Sequence, residues 1–509
     1  MSGVLLGIDL GTSSVRATLL GPDGALRGLG SREYPILTPR PGWAEQDPDT
    51  WWAAACDAIA QAIRRSRIRP GEITAIGLSG QMHGLVMVDR AGAPVRPAII
   101  WPDARGADER TEIEERIGPD RLHRITGLPA ATGFFAVSLL WARRHEPARY
   151  ARAARAMLPK DYLRFRLTGE HATDPSDGSG TLLFDVRRRT WSEEILTSLD
   201  IPRDLVPSVV ESAAVAGRLR EAAARDTGLR PGVIVATGGA DQAMGALGAG
   251  LVRPGAVACA IGTGGQVVTS LQEAVLDPRR RLHTLCHAVP GAWLLMGAML
   301  SAGLSLRWFR DALGEVERRE AARSGADPYA LLSAEAEQAE PGARGLVFLP
   351  YLGGERTPHM DPRARGCFVG LSLAHTRAHI VRAILEGVAF GMNDSLSILR
   401  ELGVPVETVV ATGGGARSRL WRQIQADVYG VPVWRSARDE QSSYGAALLA
   451  GVAAGAYRDV REACEGRTSW ADPVWPIAAH RRVYERQYAV YRSLYPTLRE
   501  AFEQLGRLP

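Results

Sequence analysis

The chain opens on an apolar run, VLLGIDLG, followed across a Gly-Thr-Ser-Ser step by VRATLL and a Pro-Asp-Gly turn. Short apolar runs bounded by glycine and turn residues predict two β-strands joined as a hairpin. Similar punctuation recurs downstream. EITAIGLSGQMHGLVMVD reads as strand, glycine-containing turn and strand. PGVIVATGGADQAMGALGAG reads as a buried strand running into a helix start, and VETVVATGGGARSRLWRQIQADVYG as a strand, a glycine-rich turn and a helix. Residues 51–65 and 108–117 carry helical spacing, and TRAHIVRAILEGVAFGMNDSLSILREL and SSYGAALLAGVAAG read as amphipathic helices. The tract HRRVYERQYAVYRSLYPTLRE also reads as an amphipathic helix, packed on the second half of the chain or used as a homodimer contact.

One pattern occurs twice. IGTGGQVVTS at 261–270 has the shape of LGTSSVRATL at 10–19: an apolar residue, Gly-Thr, two small residues, then alternating strand positions. The copies lie about half the chain apart, too far for a solenoid repeat. They predict two similarly built α/β domains, each opening on a Gly-Thr hairpin, with a ligand cleft between them. The acid differs: Asp9 precedes the first Gly-Thr, and Ala260 stands at the matching place in the second.

Composition narrows the chemistry by exclusion. A chain of 509 residues, 46% hydrophobic and 23% charged, is long enough for two or more ordinary globular cores. No apolar run reaches the roughly 18 residues of a membrane span, and MSGVLLGIDLG lacks the basic start of a signal peptide. Five scattered cysteines read as reduced thiols in a cytoplasm. The net charge of +5 comes from basic residues interleaved with acids, so no nucleic-acid partner is expected. Among 61 Lys and Arg residues Lys160 is the only lysine, and its setting, MLPKDYLRFRLTGE, is neither a Walker A loop nor a protein-kinase strand. The first glycines sit in a hairpin and do not open a helix, which excludes a Rossmann turn.

If the chain binds a nucleotide, it does so without a P-loop. Gly11-Thr12-Ser13 and Gly262-Thr263-Gly264 offer backbone N–H groups and hydroxyls with little bulk, and two such turns facing each other could clamp a triphosphate. Asp9, beside the first, suits Mg²⁺, which prefers oxygen ligands and keeps several waters. TGGADQAMGALGAG places a single carboxylate, Asp241, among five glycines at a helix start. His283, Cys286 and His287 lack a second cluster to complete a zinc site.

GIDLGTSSVR, IGLSGQMHG, AIIWPDARG, MLPKDYLRFRLTGE, GGADQAMGALG, LPYLGGERTPHMDPRARGCFVGLSL and ATGGGARSRLWRQIQADVYG occur in the order seen in the FGGY carbohydrate kinases. The resemblance covers residues 4 to about 455. It implies a duplicated actin-like α/β fold of ribonuclease-H type, with ATP in the interdomain cleft. The divisions it suggests are 1–247, with the sugar site, first phosphate hairpin and base; 248–490, with the second hairpin and adenosine site; and a tail, 491–509. By motif, Asp241 is the base facing the sugar hydroxyl and Asp9 the partner of Mg²⁺. Met82, His83, Trp101, Asp103 and Gln242 line the sugar pocket. Gly11, Thr12, Ser13 and Arg16 form the first phosphate hairpin, Gly262, Thr263 and Gly264 the second, and Gly414, Gly415 and Arg417 hold the adenosine end. The resemblance implies a small-molecule sugar and ATP/ADP as partners, with no nucleic acid and no membrane. Gln-Met-His-Gly and GGERTPH point to the xylulose branch, hence to a ketopentose, most of all D-xylulose. Ala240-Asp241-Gln242, where that branch often has Gly-Asp-Asn, and Pro102 depart from it, which keeps ribulose, glycerol or a sugar alcohol as alternative acceptors. An actin-like ATPase without a sugar is the competing class.

Overall fold

The computed structural model describes residues 3–506, so the chain start and the last three residues of the expected tail lie outside it. Strands β1 (Val4–Leu10) and β2 (Ser14–Leu20) pair antiparallel with Asp9 opposite Arg16 and Leu10 opposite Val15, which closes the first hairpin over residues 11–13. β3 (Leu26–Glu33) adds antiparallel to β2. β4 (Ile73–Gly80) lies parallel to β1 on its other side. β5 (Val215–Arg218) edges the sheet, β6 (Ile234–Ala236) runs parallel to β4, and β7 (Gly239–Ala240) pairs with the end of β4.

The second sheet is built from β8 (Gly255–Ile261), β9 (Gly265–Leu271), β10 (His283–Cys286), β11 (Trp293–Met299), β12 (Val406–Thr412), β13 (Val433–Ser436) and β14 (Trp470–Val474). Its order β11-β9-β8-β12-β13 repeats β3-β2-β1-β4-β6 of the first, antiparallel over the first three strands and parallel after. The repeated Gly-Thr shape therefore marks the same hairpin of the same sheet in each half.

Central strands such as β1 and β4 are largely apolar because helices cover both faces, with Asp9 and Ser79 side by side near their ends. One cover of the first sheet is α1 (Pro48–Arg65), which starts on Asp47 accepting the Asp49 N–H, with proline at its first position. The other comes from the far half of the chain. α8 (Gln441–Ala453) lies against β1 and β4 and packs on α3 (Asp241–Gly248). The fit is close: a Cβ on Gly7 would lie 1.9 Å from Ser443 O, and one on Gly77 1.8 Å from Ala446 O. The sequence reads α8 as amphipathic, yet Ser443 through Gly451 are all buried, since the helix is covered from two sides.

α6 (Arg377–Glu401) is the long helix of the second half, and Gly387 lets it touch Phe348 O, where a Cβ would stand 2.3 Å away. α9 (Ala478–Leu505) runs unbroken across residue 490 and buries Tyr484, Tyr491, Tyr495 and Phe502 against Val347, Leu349, Tyr351 and Phe390. Among the described residues no helix is long and apolar enough to cross a membrane.

Candidate active site

The first hairpin turn is held from behind. Gln81 N–H donates to Leu10 O at 2.8 Å, Gln46 Nε2 to Thr12 O at 2.7 Å, and the Tyr34 hydroxyl to Gly11 O. Trp101 Nε1 donates to Thr12 Oγ1 at 2.9 Å, so the AIIWPDARG turn and the first hairpin turn form one surface. In the second hairpin Gly262 N–H donates to Gly264 O at 3.0 Å, while Gly303 and Leu304, opening α4 (Gly303–Leu313), donate to Gly262 O and Thr263 O at 2.9 and 3.0 Å. The third turn packs on this one. Gly413 adopts φ +73°, and a Cβ there would lie 2.7 Å from Ile261 O.

Between the second hairpin, the third turn, α4, α5 (Pro328–Ala336) and the start of α7 (Arg419–Tyr429) lies a cavity of about 540 Å³. Gly262, Thr263, Gly414, Gly415 and Arg417 line it, together with Arg307, Tyr329 and Trp421. Its size and mixed lining suit a nucleoside. Arg417 also pairs with exposed Asp439 at 2.8 Å.

At the other end, β4 delivers Gln81, Met82 and His83 past Gly80. His83 takes φ +70°, and its Nδ1–H donates to Gly180 O at 2.6 Å while the ring stacks on Phe134 with centroids 4.2 Å apart. Burial, helped by Arg356 and opposed by the Gly180 bond, pushes its pKa down to about 4, so the ring is neutral and Nε2 is left as an acceptor. Asp103 is placed differently from the expectation that it faces the sugar. It is buried, its oxygens taken by Arg105 at 2.7 and 2.9 Å and by Ala44 N–H at 2.6 Å, so it shapes the turn that carries Trp101.

Asp241 begins α3, with Oδ1 buried and lacking a hydrogen-bond partner among the described residues. Burial first, then the Asp9 carboxylate, lift its pKa to about 7 against the pull of the Gln242 backbone and side-chain N–H groups. A helix N-terminus alone would favour the charge; desolvation and a like charge outweigh it here. Asp9 is raised as well, chiefly by burial, although Ser79 Oγ donates to it at 2.7 Å and Arg16 lies across the ladder. Two carboxyls short of compensating charge beside donor-rich turns fit a divalent cation brought in by phosphates. Among the described residues no group of three or more His, Cys, Asp or Glu side chains could hold a metal ion.

This arrangement has known counterparts. Models of the FGGY family of carbohydrate kinases match residues 4–248 with the N-terminal domain and 257–454 with the C-terminal domain. The chain belongs to the FGGY family of carbohydrate kinases. A xylulose kinase of Bacillus subtilis is 36% identical over 491 residues, 96% of each chain. The crystal structure of a xyloylose kinase from Brucella ovis superposes with TM-score 0.89 at 36% identity, covering 98% of this chain and 100% of that one. A gluconate kinase structure from Lactobacillus acidophilus reaches TM-score 0.92 at 26% identity over 99% of this chain and 100% of its own. The FGGY fold is thus clear, and neighbours of nearly equal shape carry different acceptor names.

Two features of this FGGY kinase escaped the sequence reading. Arg356, in GGERTPH, reaches from the second half toward Trp101. Its guanidinium carbon is 6.0 Å from the Trp101 ring, and among the described residues it has no ion-pair partner. A buried charge network around Lys160 adjoins the strand that delivers Asp241. The signal for the first was the position of an arginine inside a motif, and for the second the single lysine.

Proposed function

We propose that this carbohydrate kinase transfers the γ-phosphoryl group of ATP to a primary hydroxyl of a ketopentose, D-xylulose before others, forming D-xylulose 5-phosphate and ADP. The observation that carries the reading is Asp241: a carboxyl with a free buried oxygen and a pKa near 7, set between a sugar-side turn and two Gly-Thr hairpins. Residues 1–247 supply the sugar side, the base and the first hairpin, and 248–490 the second hairpin and adenosine cavity. The Met82-His83 turn and Trp101 bind the sugar, with Arg356 above Trp101. Asp241 accepts the hydroxyl proton as the hydroxyl oxygen bonds to the γ-phosphorus and the β–γ bridging bond breaks, leaving ADP. An acid near 7 is half ready at neutral pH and basic enough to take that proton. Gly11, Thr12, Ser13, Arg16, Gly262, Thr263 and Gly264 hold the phosphates, because phosphoryl transfer asks mainly for positioning and charge stabilisation. Bound through Asp9, Mg²⁺ would neutralise charge on the phosphate oxygens. Gly414, Gly415 and Arg417 hold the adenosine end. The similarity to proteins named xylulose kinase supports the choice of sugar.

The test is sugar-dependent ADP release with Mg²⁺-ATP and D-xylulose, D- and L-ribulose, glycerol, gluconate and pentitols, with Asp241→Ala alongside. Turnover on D-xylulose that the variant loses is the expected result. Turnover on another member alone would move the substrate, and equal ADP release with and without every sugar would end the kinase reading.

A further inference from the structure

Every Lys/Arg position of the chain is arginine except residue 160. Lys160 lies in the first turn of α2 (Pro159–Thr168), with no solvent exposure. Its Nζ is 2.6 Å from Asp161 Oδ1, 3.0 Å from Asp174 Oδ1 and 3.6 Å from Asp177 Oδ2. Arg164 meets the same Asp161 oxygen at 2.8 Å. Two cations and three carboxyls are thereby sealed from water, an arrangement whose desolvation is rarely recovered as stability.

One branch of this network ends at the base. Asp174 Oδ2 accepts from Ser212 Oγ at 2.7 Å, from Ser176 N–H at 2.8 Å and from Ser176 Oγ at 2.5 Å. With its proton committed to Asp174, the Ser176 hydroxyl has a lone pair left, and this accepts the Ala240 N–H at 3.0 Å. Ala240 immediately precedes Asp241. The residue before it is Gly239, where a Cβ would stand 2.6 Å from Met244 Cε and 2.9 Å from Ser176 Oγ, so a side chain there would crowd the serine.

We propose that Lys160 is the positioning residue of the catalytic base: it orients Asp174, Asp174 orients the Ser176 hydroxyl, and Ser176 holds the peptide that aims Asp241 into the cleft. This rests on Asp241 being the base. The geometry also explains the lysine. A compact ammonium hydrogen-bonds Asp161 while facing Asp174 and Asp177 at 3.0 and 3.6 Å, and it does so in less room than a planar guanidinium needs. Asp177 closes the charge balance. Both its oxygens lack hydrogen-bond partners among the described residues, and burial together with Asp161, Asp174 and Asp241 raises it well above the usual carboxylate range. A proton there leaves two cations facing two carboxylates.

The experiment compares full-length Ser176→Ala, Ser176→Thr, Lys160→Met and the double variant Lys160→Met/Ser176→Ala with the wild type. Steady-state kinetics are read together with mass-spectrometric amide exchange over residues 237–247. Ser176→Ala is expected to lower kcat on the order of 10²-fold, the scale of a misplaced reacting group. KM for ATP should stay within about twofold, exchange over 237–247 should rise, and threonine should restore most of both. The double variant should be no slower than the slower single, as expected when both act along one path. Wild-type kcat and exchange in Ser176→Ala, or independent losses that multiply in the double variant, would overturn the inference. If Lys160→Met fails to fold, Lys160→Arg takes its place in the single and the double variant, because it keeps the buried charge while moving its donors, and the same comparison is read. A wild type without sugar-dependent turnover would refute the enzyme reading instead, while exchange over 237–247 would still show whether Lys160 and Ser176 hold that peptide.

Discussion

Replacing Asp241 with asparagine should make the protein more stable as it makes it inactive. Burial and the Asp9 carboxylate lift Asp241 from 3.8 to about 7, with Gln242 opposing and Asp177 the other acid that senses it. At about 1.4 kcal/mol for each tenfold change in acidity, ionised Asp241 costs the folded state about 4 kcal/mol relative to the unfolded chain. The sign follows from proton counts. Well below pH 3.8 both states hold the proton and nothing is lost. Between 3.8 and 7 the folded state keeps a proton that the unfolded state has released, so stability falls as pH rises. Above 7 the whole loss is present. The asparagine side chain carries no such charge, so the stability gap between Asp241→Asn and wild type should open from near zero below about pH 4 to about 2 kcal/mol at pH 5 and about 4 kcal/mol at pH 8. Urea unfolding of both proteins at several pH values reads this directly, and sugar-dependent turnover should fall on the order of 10²–10⁴-fold in the same preparation. A gap that stays constant from pH 5 to 8 would refute the claim that the site holds this carboxyl at a cost.

Three further outcomes are expected. For the wild type, log kcat/KM should rise with unit slope below about pH 7 and level off above it as Asp241 loses its proton, while His83, held near 4, adds no limb between pH 5 and 8; a flat profile across 5–8 would count against Asp241 as the base. Gly413→Ala must place a Cβ 2.7 Å from Ile261 O at φ +73° and ψ −171°, a region almost confined to glycine, so ADP affinity measured by calorimetry should fall about tenfold or more, from a strain of about 1–3 kcal/mol, with sugar affinity unchanged. Arg356→Met breaks no ion pair, so the melting temperature should hold while kcat/KM for the sugar drops about 10- to 100-fold, the worth of a charged hydrogen bond; an unchanged kcat/KM would place Arg356 outside the site.

Much of this was legible in the residues. The two Gly-Thr hairpins, the strand-to-helix step at Asp241 and the glycine-rich turn at 413–415 are local devices whose sequence dictates their shape, and each appears where its pattern puts it. Long-range matters were not legible. SSYGAALLAGVAAG gives no sign that its helix crosses to the other sheet, because small residues serve any close packing. The AIIWPDARG motif does not show that Asp103 turns onto Arg105, two residues on, and onto Ala44 N–H from a distant segment. The lift of Asp241 depends on burial and on Asp9, far away in sequence, so a helix start alone suggested the opposite shift. Lys160 stood out by composition, but only the fold brings Asp174 and Ser176 between it and the base.

The crossing of α8 also governs how the protein can be made. The first sheet has Leu5, Leu20 and Ala75 in the same buried cluster as Tyr444, Ala446 and Ala450 of α8, and Thr18 Oγ1 meets Ser443 Oγ at 2.6 Å. A ribosome therefore releases the whole first sheet long before it releases the helix that covers one face. During synthesis that face stays open to water or to a chaperone, and the N-terminal half cannot complete its core until residue 453 has been added. The two halves share one plan, yet neither is a separable cassette: a fragment ending at residue 248 would lack α8 and expose the small and apolar side chains that the helix buries.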